Sequence, residues 1–150
     1  MRKWLDMPPV WLLGSMALVY ALGWVLPGGG FGIMAAAGPG LFVTGLALVL
    51  AAAGQMIVQR TTVIPREQPA VLVTGGLFHL SRNPIYLGDA MMLAGVILWR
   101  DVVLAVPVLI AFVWVIRMRF IDGEEVRLRA GFGAAYNEFV ARTGRWIAFL

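Results

Sequence analysis

Residues 39–59 read PGLFVTGLALVLAAAGQMIVQ, an uncharged apolar run that ends at Arg60. A helix rises about 1.5 Å per residue, so a run of about 20 residues crosses a hydrocarbon core of about 30 Å. Lipid offers the backbone no hydrogen-bond partners, which leaves helix as the plausible form for this stretch. Three further apolar segments surround it. Residues 10–26 stop at Pro27 and a glycine run, residues 84–99 carry Asp89 and stop at Arg100, and residues 102–116 give way to Arg117. The last two are short. They form a tight hairpin that does not fully cross, or they extend into their flanks.

The composition agrees. Of 150 residues 61% are hydrophobic and 13% charged, where a soluble domain is about half apolar and about a quarter charged. The length suits one domain, divided here into an N-terminal helical hairpin over 1–59 and a second part over 60–150. A net charge of +4 raises the question of nucleic acid. The basic residues punctuate apolar segments instead of forming a stripe beside aromatic platforms, so no nucleic-acid partner is expected. The chain has no cysteine and a single histidine, His79. Disulfide and thiol chemistry are thereby excluded, as is a zinc cluster of the usual ligands, and no metal site is expected.

Charge also sets the topology. With four spanning helices and both termini cytoplasmic, Arg2, Lys3, Arg60, Arg66, Arg82, Arg117, Arg119, Arg127, Arg129, Arg142 and Arg145 lie inside. Of the twelve basic residues that leaves only Arg100 outside, neutralised by Asp101. The positive-inside rule expects this asymmetry. A cleaved signal peptide is the alternative for the first segment. The small residues Ala35 to Ala37 lie too far beyond the apolar run to serve as its cleavage site, and more membrane segments follow. The expected fold is all-α: a polytopic membrane protein of about four transmembrane helices with a C-terminal cytoplasmic amphipathic helical cap. Gly28, Gly29, Gly30, Gly38 and Gly40 make an outer loop, and with no strand before them they are no dinucleotide fingerprint. Gly45 and Gly54 are expected to allow close helix packing, and they permit association of copies.

Function should sit where the chain keeps residues that insertion does not require. Two stretches qualify, 61–88 and 123–146. In the first, Pro84 suits the first turn of a helix and Asn83 its N-cap. That helix N-terminus, beside Arg82, is a ready place for an anion such as a carboxylate. Tyr86 and Asp89 are three apart and share a face. The plainer reading makes Asn83 only a cap, Arg82 a headgroup contact and Tyr86 part of an aromatic belt. Asp89 must face protein, or lie close enough to the interface to stay wet. In the second stretch Glu124 and Glu125 sit on a helical segment with Arg127 and Arg129, and Glu125 is spaced to pair with Arg129. A solvated face is the bland alternative for both glutamates. Gly131 and Gly133 break the segment before residues 132–146, which alternate aromatics with charges as an interfacial cap would.

Together the two stretches resemble the C-terminal core of the isoprenylcysteine carboxyl methyltransferase and phospholipid methyltransferase group. The first reads Thr74-Gly75-Gly76-Leu77-Phe78-His79, then Arg82-Asn83-Pro84-Ile85-Tyr86-Leu87-Gly88. The second reads Glu124-Glu125-Val126-Arg127-Leu128, then Phe132-Gly133-Ala134-Ala135-Tyr136 and Arg145-Trp146. Thr61-Thr62-Val63-Ile64-Pro65 resembles a stretch upstream in the group's bacterial members. Against the group's pattern, Leu77 replaces proline, Phe78 tyrosine and His79 arginine. Asn83 stands where histidine is common, and Ala148 stands in place of a terminal proline.

The resemblance implies an enzyme integral to a bacterial inner membrane, both termini cytoplasmic. It would transfer a methyl group from S-adenosylmethionine to a lipophilic small-molecule or lipidated acceptor that enters from the bilayer. The implied cofactor-binding residues are Gly76, His79, Arg82, Asn83, Pro84, Tyr86, Glu124 and Glu125, with Arg82 and Glu125 the catalytic candidates. Arg82 and the amides near Asn83 would hold the methionine carboxylate, Tyr86 would pack on the cofactor, and Glu124 or Glu125 would bond its ribose or amine. A membrane reductase using NADPH shares similar C-terminal hairpins, and a non-enzymatic assembly or sensor protein is the third reading.

Overall fold

The computed structural model describes residues 6–147. Arg2, Lys3 and Ala148, used above, lie outside the described residues. The described chain is helical, with no strand. Helix α1 spans Pro8–Val25 and α2 spans Gly38–Val58, preceded without interruption by a 3-10 segment over Gly32–Ala37. Residues 59–76 form an irregular loop, and Leu77–Leu80 add one helical turn. Helix α3 spans Pro84–Trp99, with a proline in its first turn where the missing N–H costs nothing. Val103–Ala105 form a 3-10 turn before α4, Val106–Ile116. A π-helical turn, Arg117–Ile121, joins α4 to α5, Asp122–Arg142.

By length and composition three helical runs are long and apolar enough to cross a membrane: Pro8–Val25, Gly32–Val58 and Val103–Arg142. The expected count is about four, and the difference is α3. Its 16 residues extend about 24 Å, short of a core of about 30 Å. The other short segment, 102–116, takes the second course open to it and extends into its flank. No helix breaker follows Ile116, and the helical run reaches 40 residues. Its apolar part ends at Ile116 and the remainder is charged. The expected break at the two glycines reduces to a kink at Gly133 (φ 50°, ψ −118°), with helix on either side.

The protein's two ends differ in charge. At one, Gly29 N–H donates to the Asp101 carbonyl (2.7 Å) and Phe31 N–H to Asp101 Oδ1 (3.0 Å), tying the turn after α1 to the turn after α3. Arg100 lies there, its guanidinium over the Tyr20 ring at 5.1 Å. At the other end Asp6 pairs with Arg66 and Arg119, and Glu125 with Arg82 and Arg145, each joining elements far apart in sequence.

Helices α2 and α3 are joined backbone to backbone. A Cβ placed on Gly45 would stand 2.6 Å from the Gly88 carbonyl oxygen, and one on Gly88 2.6 Å from that of Gly45. The same reciprocity links Gly38 and Gly95, at 2.6 and 2.7 Å. These approaches are closer than any side chain allows, so glycine is required at all four positions. Gly54, expected to share this role, has nothing within 4 Å. It points away from α3, and Gly38 takes its place in the seam. The principal core lies on the other side of α3, where Leu93, Val96 and Ile97 meet Leu12 and Val19 of α1, Phe112 and Ile116 of α4, and Phe120 and Ile121 of the π turn. A second cluster of Ala52, Val73, Phe78, Tyr136 and Phe139 joins α2, the 59–76 loop and the end of α5.

Candidate functional site

The site is built around the N-terminus of α3. Asn83 occupies the cap position (φ −131°, ψ 60°), but its side chain makes no capping bond. It turns to the C-terminal segment instead, Nδ2 donating to the Arg145 carbonyl at 3.0 Å. The expected side-chain cap is thus displaced by a tertiary contact. Ser81 Oγ accepts from Asn83 N–H (3.1 Å), and Arg82 N–H donates to the Gly144 carbonyl (3.0 Å). Residues 144–145 are therefore fastened across the start of α3.

The adjacent glutamates have different surroundings. Glu125 is buried in an ion cluster. Arg145 grips it with two parallel bonds, Nε to Oε1 at 2.9 Å and Nη2 to Oε2 at 2.8 Å, and Arg82 Nη1 lies 3.3 Å from Oε1. The Glu125 carboxylate in turn holds the Arg145 guanidinium above its ordinary value. The pairing expected along the helix with Arg129 does not form, because a planar fork from the C-terminal segment satisfies both oxygens at once. Arg129 instead lies over the Tyr136 ring at 5.7 Å. Glu124 faces a cavity and accepts a hydrogen bond from the Tyr86 hydroxyl at 2.7 Å. Burial pushes its carboxyl above the ordinary range, while the Tyr86 bond and the charges of Arg127 and Arg66 pull the other way.

That cavity measures about 380 Å³, within the usual range of small-molecule sites, ~300–1,000 Å³. Its polar end is formed by Arg82, Asn83, Tyr86, Glu124 and Arg127, with Asp89 further along the wall. Val49 and Met56 of α2, Leu72, Ile85 and Leu128 make much of the apolar wall. Residues 61–67 close one side and Met7, Pro8 and Pro9 of the first helix another. Arg82 Nε and Arg127 Nη2, like Arg100 Nε at the other end of the protein, are buried with no hydrogen-bond partner among the described residues. Buried donors in that state are rare.

The loop over the cavity is anchored by Asp6. Its carboxylate accepts from Arg66 Nη2 (2.7 Å), Arg119 Nη2 (2.8 Å) and Nε (3.1 Å), and Trp11 Nε1 (3.1 Å). The bond from Arg119 is the largest influence holding this carboxyl well below the usual carboxylate range. Arg66, in the left-handed region at φ 70°, lies over the Phe120 ring at 4.8 Å. Loop, first helix and π turn thus meet at one acidic residue.

Of the residues expected at the site, Arg82, Asn83, Pro84, Tyr86 and Glu124 line the cavity. Gly76, His79 and Glu125 do not. Gly76 (φ 57°) belongs to a turn held by Gln55, whose Nε2 donates to the Gly75 carbonyl (2.6 Å) and whose Oε1 accepts from Leu77 N–H (3.1 Å). His79 is exposed on the following helical turn. The sequence reading does not place Arg127 at the site. Its signal was present, since it stands three residues after Glu124 on one helix face. That reading marks residues 61–65 by resemblance but does not bring in loop 61–67 as a wall of the cavity.

No curated protein and no solved structure matches the chain significantly. A family model described as phospholipid methyltransferase matches residues 33–135, from the 3-10 segment before α2 into α5. The chain belongs to the phospholipid methyltransferase family, and with its apolar helices this points to methyl transfer at a membrane.

Proposed function

We propose that the protein transfers a methyl group from S-adenosylmethionine to a lipophilic acceptor at the cytoplasmic face of the membrane. One observation carries the reading: a mainly apolar cavity whose polar end is formed by Arg82, Asn83, Tyr86, Glu124 and Arg127. The two guanidinium groups suit the carboxylate of a methionine moiety, beside the N-terminus of α3, whose dipole favours an anion. Glu124, held by the Tyr86 hydroxyl, suits an amino or ribose hydroxyl group. The residues present therefore fit this cofactor. When bound it supplies an electrophilic methyl group on a positively charged sulfur.

The protein's contribution is then position and surroundings. Arg82 and Arg127 fix one end of the ligand, and Tyr86 and Glu124 orient its middle. Glu125 lies outside the cavity and acts through Arg82 and Arg145, so its part is to position. Residues 61–67 exclude water, which strengthens the charges within. Holding two reactants in line supplies much of the acceleration that such a displacement needs. The apolar wall leaves room for the body of a lipid-like acceptor. In this reading residues 1–150 are one membrane domain, since both 1–59 and 60–150 contribute walls.

Calorimetric titration of the detergent-purified protein with S-adenosylhomocysteine tests this, with Arg127→Ala as the weakened variant. Micromolar binding that the substitution reduces about tenfold is the expected result. Absence of binding by the folded protein, or binding of NADPH in its place, overturns the methyltransferase reading.

A further inference from the structure

The end of the protein away from the cavity carries Arg100, and the neutralisation by Asp101 expected from the sequence does not form there. Asp101 stands in the left-handed region (φ 53°), which is uncommon for a residue with a side chain. Its carboxylate faces the turn after α1, where Oδ1 accepts from Phe31 N–H at 3.0 Å, and its carbonyl accepts from Gly29 N–H at 2.7 Å. Asp101 is thereby engaged by the two turns. Among the described residues Arg100 has no ion-pair partner and its guanidinium donates no hydrogen bond, with Nε buried.

What the guanidinium does have is a seat. It lies over the Tyr20 ring at 5.1 Å, an attraction that fixes a cation in place. It also rests against α1 at Gly23, where an added Cβ would stand 3.1 Å from Nη2 and 3.3 Å from Nε. Glycine at 23 is thus what lets the charge approach the α1 backbone. The last turns of α1 and α3 both end here, and their dipoles favour a cation. An arginine near a membrane surface ordinarily swings its head toward water. This one is held beside two helices, with its charge kept and its donors unmatched.

We infer that Arg100 binds the phosphate of a lipid head group in the leaflet at this end of the protein, at a site separate from the cavity. A phosphate offers the paired oxygens that a guanidinium takes with two parallel bonds. Exposed indoles flank the seat. Trp24, 84% exposed, follows Gly23, and Trp99, 57% exposed, precedes Arg100. Indole rings favour the head-group level of a bilayer, so they mark the depth at which lipid phosphates lie. Dissolved phosphate would meet the same guanidinium but gain nothing from the rings. The length of α3 adds a reason. Its 16 residues extend about 24 Å, and a charge at the end of so short a helix stays below the head groups unless the bilayer thins to meet it. A bound phosphate draws the lipid surface down to Arg100 and removes the cost of an unmatched charge at that depth.

The test uses the full chain in a non-ionic detergent, with calorimetric titration against a blank of protein-free micelles. The probes are dihexanoyl phosphatidylglycerol, dihexanoylglycerol, which has the same tails and no phosphate, and inorganic phosphate. The wild type is expected to bind the phospholipid at its tightest site about tenfold or more better than either other probe. Arg100→Gln should weaken that site about tenfold, and Gly23→Leu, which keeps the charge and fills the seat, about fivefold or more. Arg60→Gln, which removes an exposed arginine outside the cavity, should change it by less than about twofold. A wild type that binds dihexanoylglycerol as well as the phospholipid overturns the proposal even if no variant folds. Inorganic phosphate bound as tightly as the phospholipid overturns the lipid as the source of the phosphate. Unchanged affinity in Arg100→Gln or in Gly23→Leu, or an equal loss in Arg60→Gln, overturns the built site.

Discussion

Along one side α3 touches α2 through bare backbone: Gly95 faces Gly38 and Gly88 faces Gly45. Beside the second of these contacts, at the N-terminal end of α3, a cavity opens by Arg82, Tyr86 and Asp89. The glycine contacts leave no space for even a methyl group. The cavity keeps charged and hydroxyl side chains, Arg82, Tyr86, Asp89, Glu124 and Arg127, on a largely apolar wall, an arrangement that costs stability and is retained where function uses it. One helix therefore carries a closed seam that fixes its position and, beside it, a cavity that uses it. The seam makes the opening reproducible, because α3 cannot slide along α2 without driving carbonyl oxygens into side chains.

The contrast breaks most directly at the seam. Gly95→Leu should destabilise by about 3 kcal/mol or more, read as a lowered thermal midpoint in detergent, because its Cβ would lie 2.7 Å from Gly38 O and Phe42 N. An unchanged midpoint would mean that the two backbones are not in contact. Glu125→Ala comes next. It leaves two guanidiniums facing each other, and because both partners keep some solvent the loss should be about 2 kcal/mol, below that of a fully buried pair. Limited proteolysis should then cut within 143–147, and a protected segment would contradict the clamp.

Glu124→Gln should change stability by less than about 1 kcal/mol, since an amide oxygen still accepts from Tyr86, while S-adenosylhomocysteine binding weakens. Its pH signature has a definite sign. A carboxyl whose value is raised on folding binds its proton more tightly when folded, so it favours the folded state increasingly as pH falls through that value. The Gln variant should lack this part of the pH dependence in chemical denaturation, and an identical profile would remove the assigned burial. Asp6→Asn should have the smallest effect, confined to faster amide exchange at 61–67. Above the ordinary carboxylate range its contribution is constant, and it is lost only as pH falls below that range, because the folded carboxyl lies lower.

The sequence carries the helical segments and the start of α3 openly, because lipid solvation and a proline at N1 act locally. It also marks Arg82, Tyr86 and Glu124. What it hides depends on how helices register against one another. Gly45 and Gly54 look alike in a one-dimensional reading, and only the seam shows that Gly38 is Gly45's fellow. Glu125 and Arg129 have ideal spacing, yet Arg145 from twenty residues away offers a better fork. Asn83 has the right chemistry for a cap and uses it across the fold. Each miss is a local preference overridden by a tertiary partner that satisfies more atoms at once.

The π turn at Arg117–Ile121 works as a phase shifter. A regular helix advances about 100° per residue, and a wider turn holds one residue more than the regular count. Everything beyond it is therefore rotated about the helix axis relative to what α4 would have dictated. The angular offset decides that Glu124 addresses the cavity while Glu125 addresses the C-terminal segment. Deleting a single residue from this turn would restore a uniform helix, keep every side chain of the site, and point the acidic pair the wrong way.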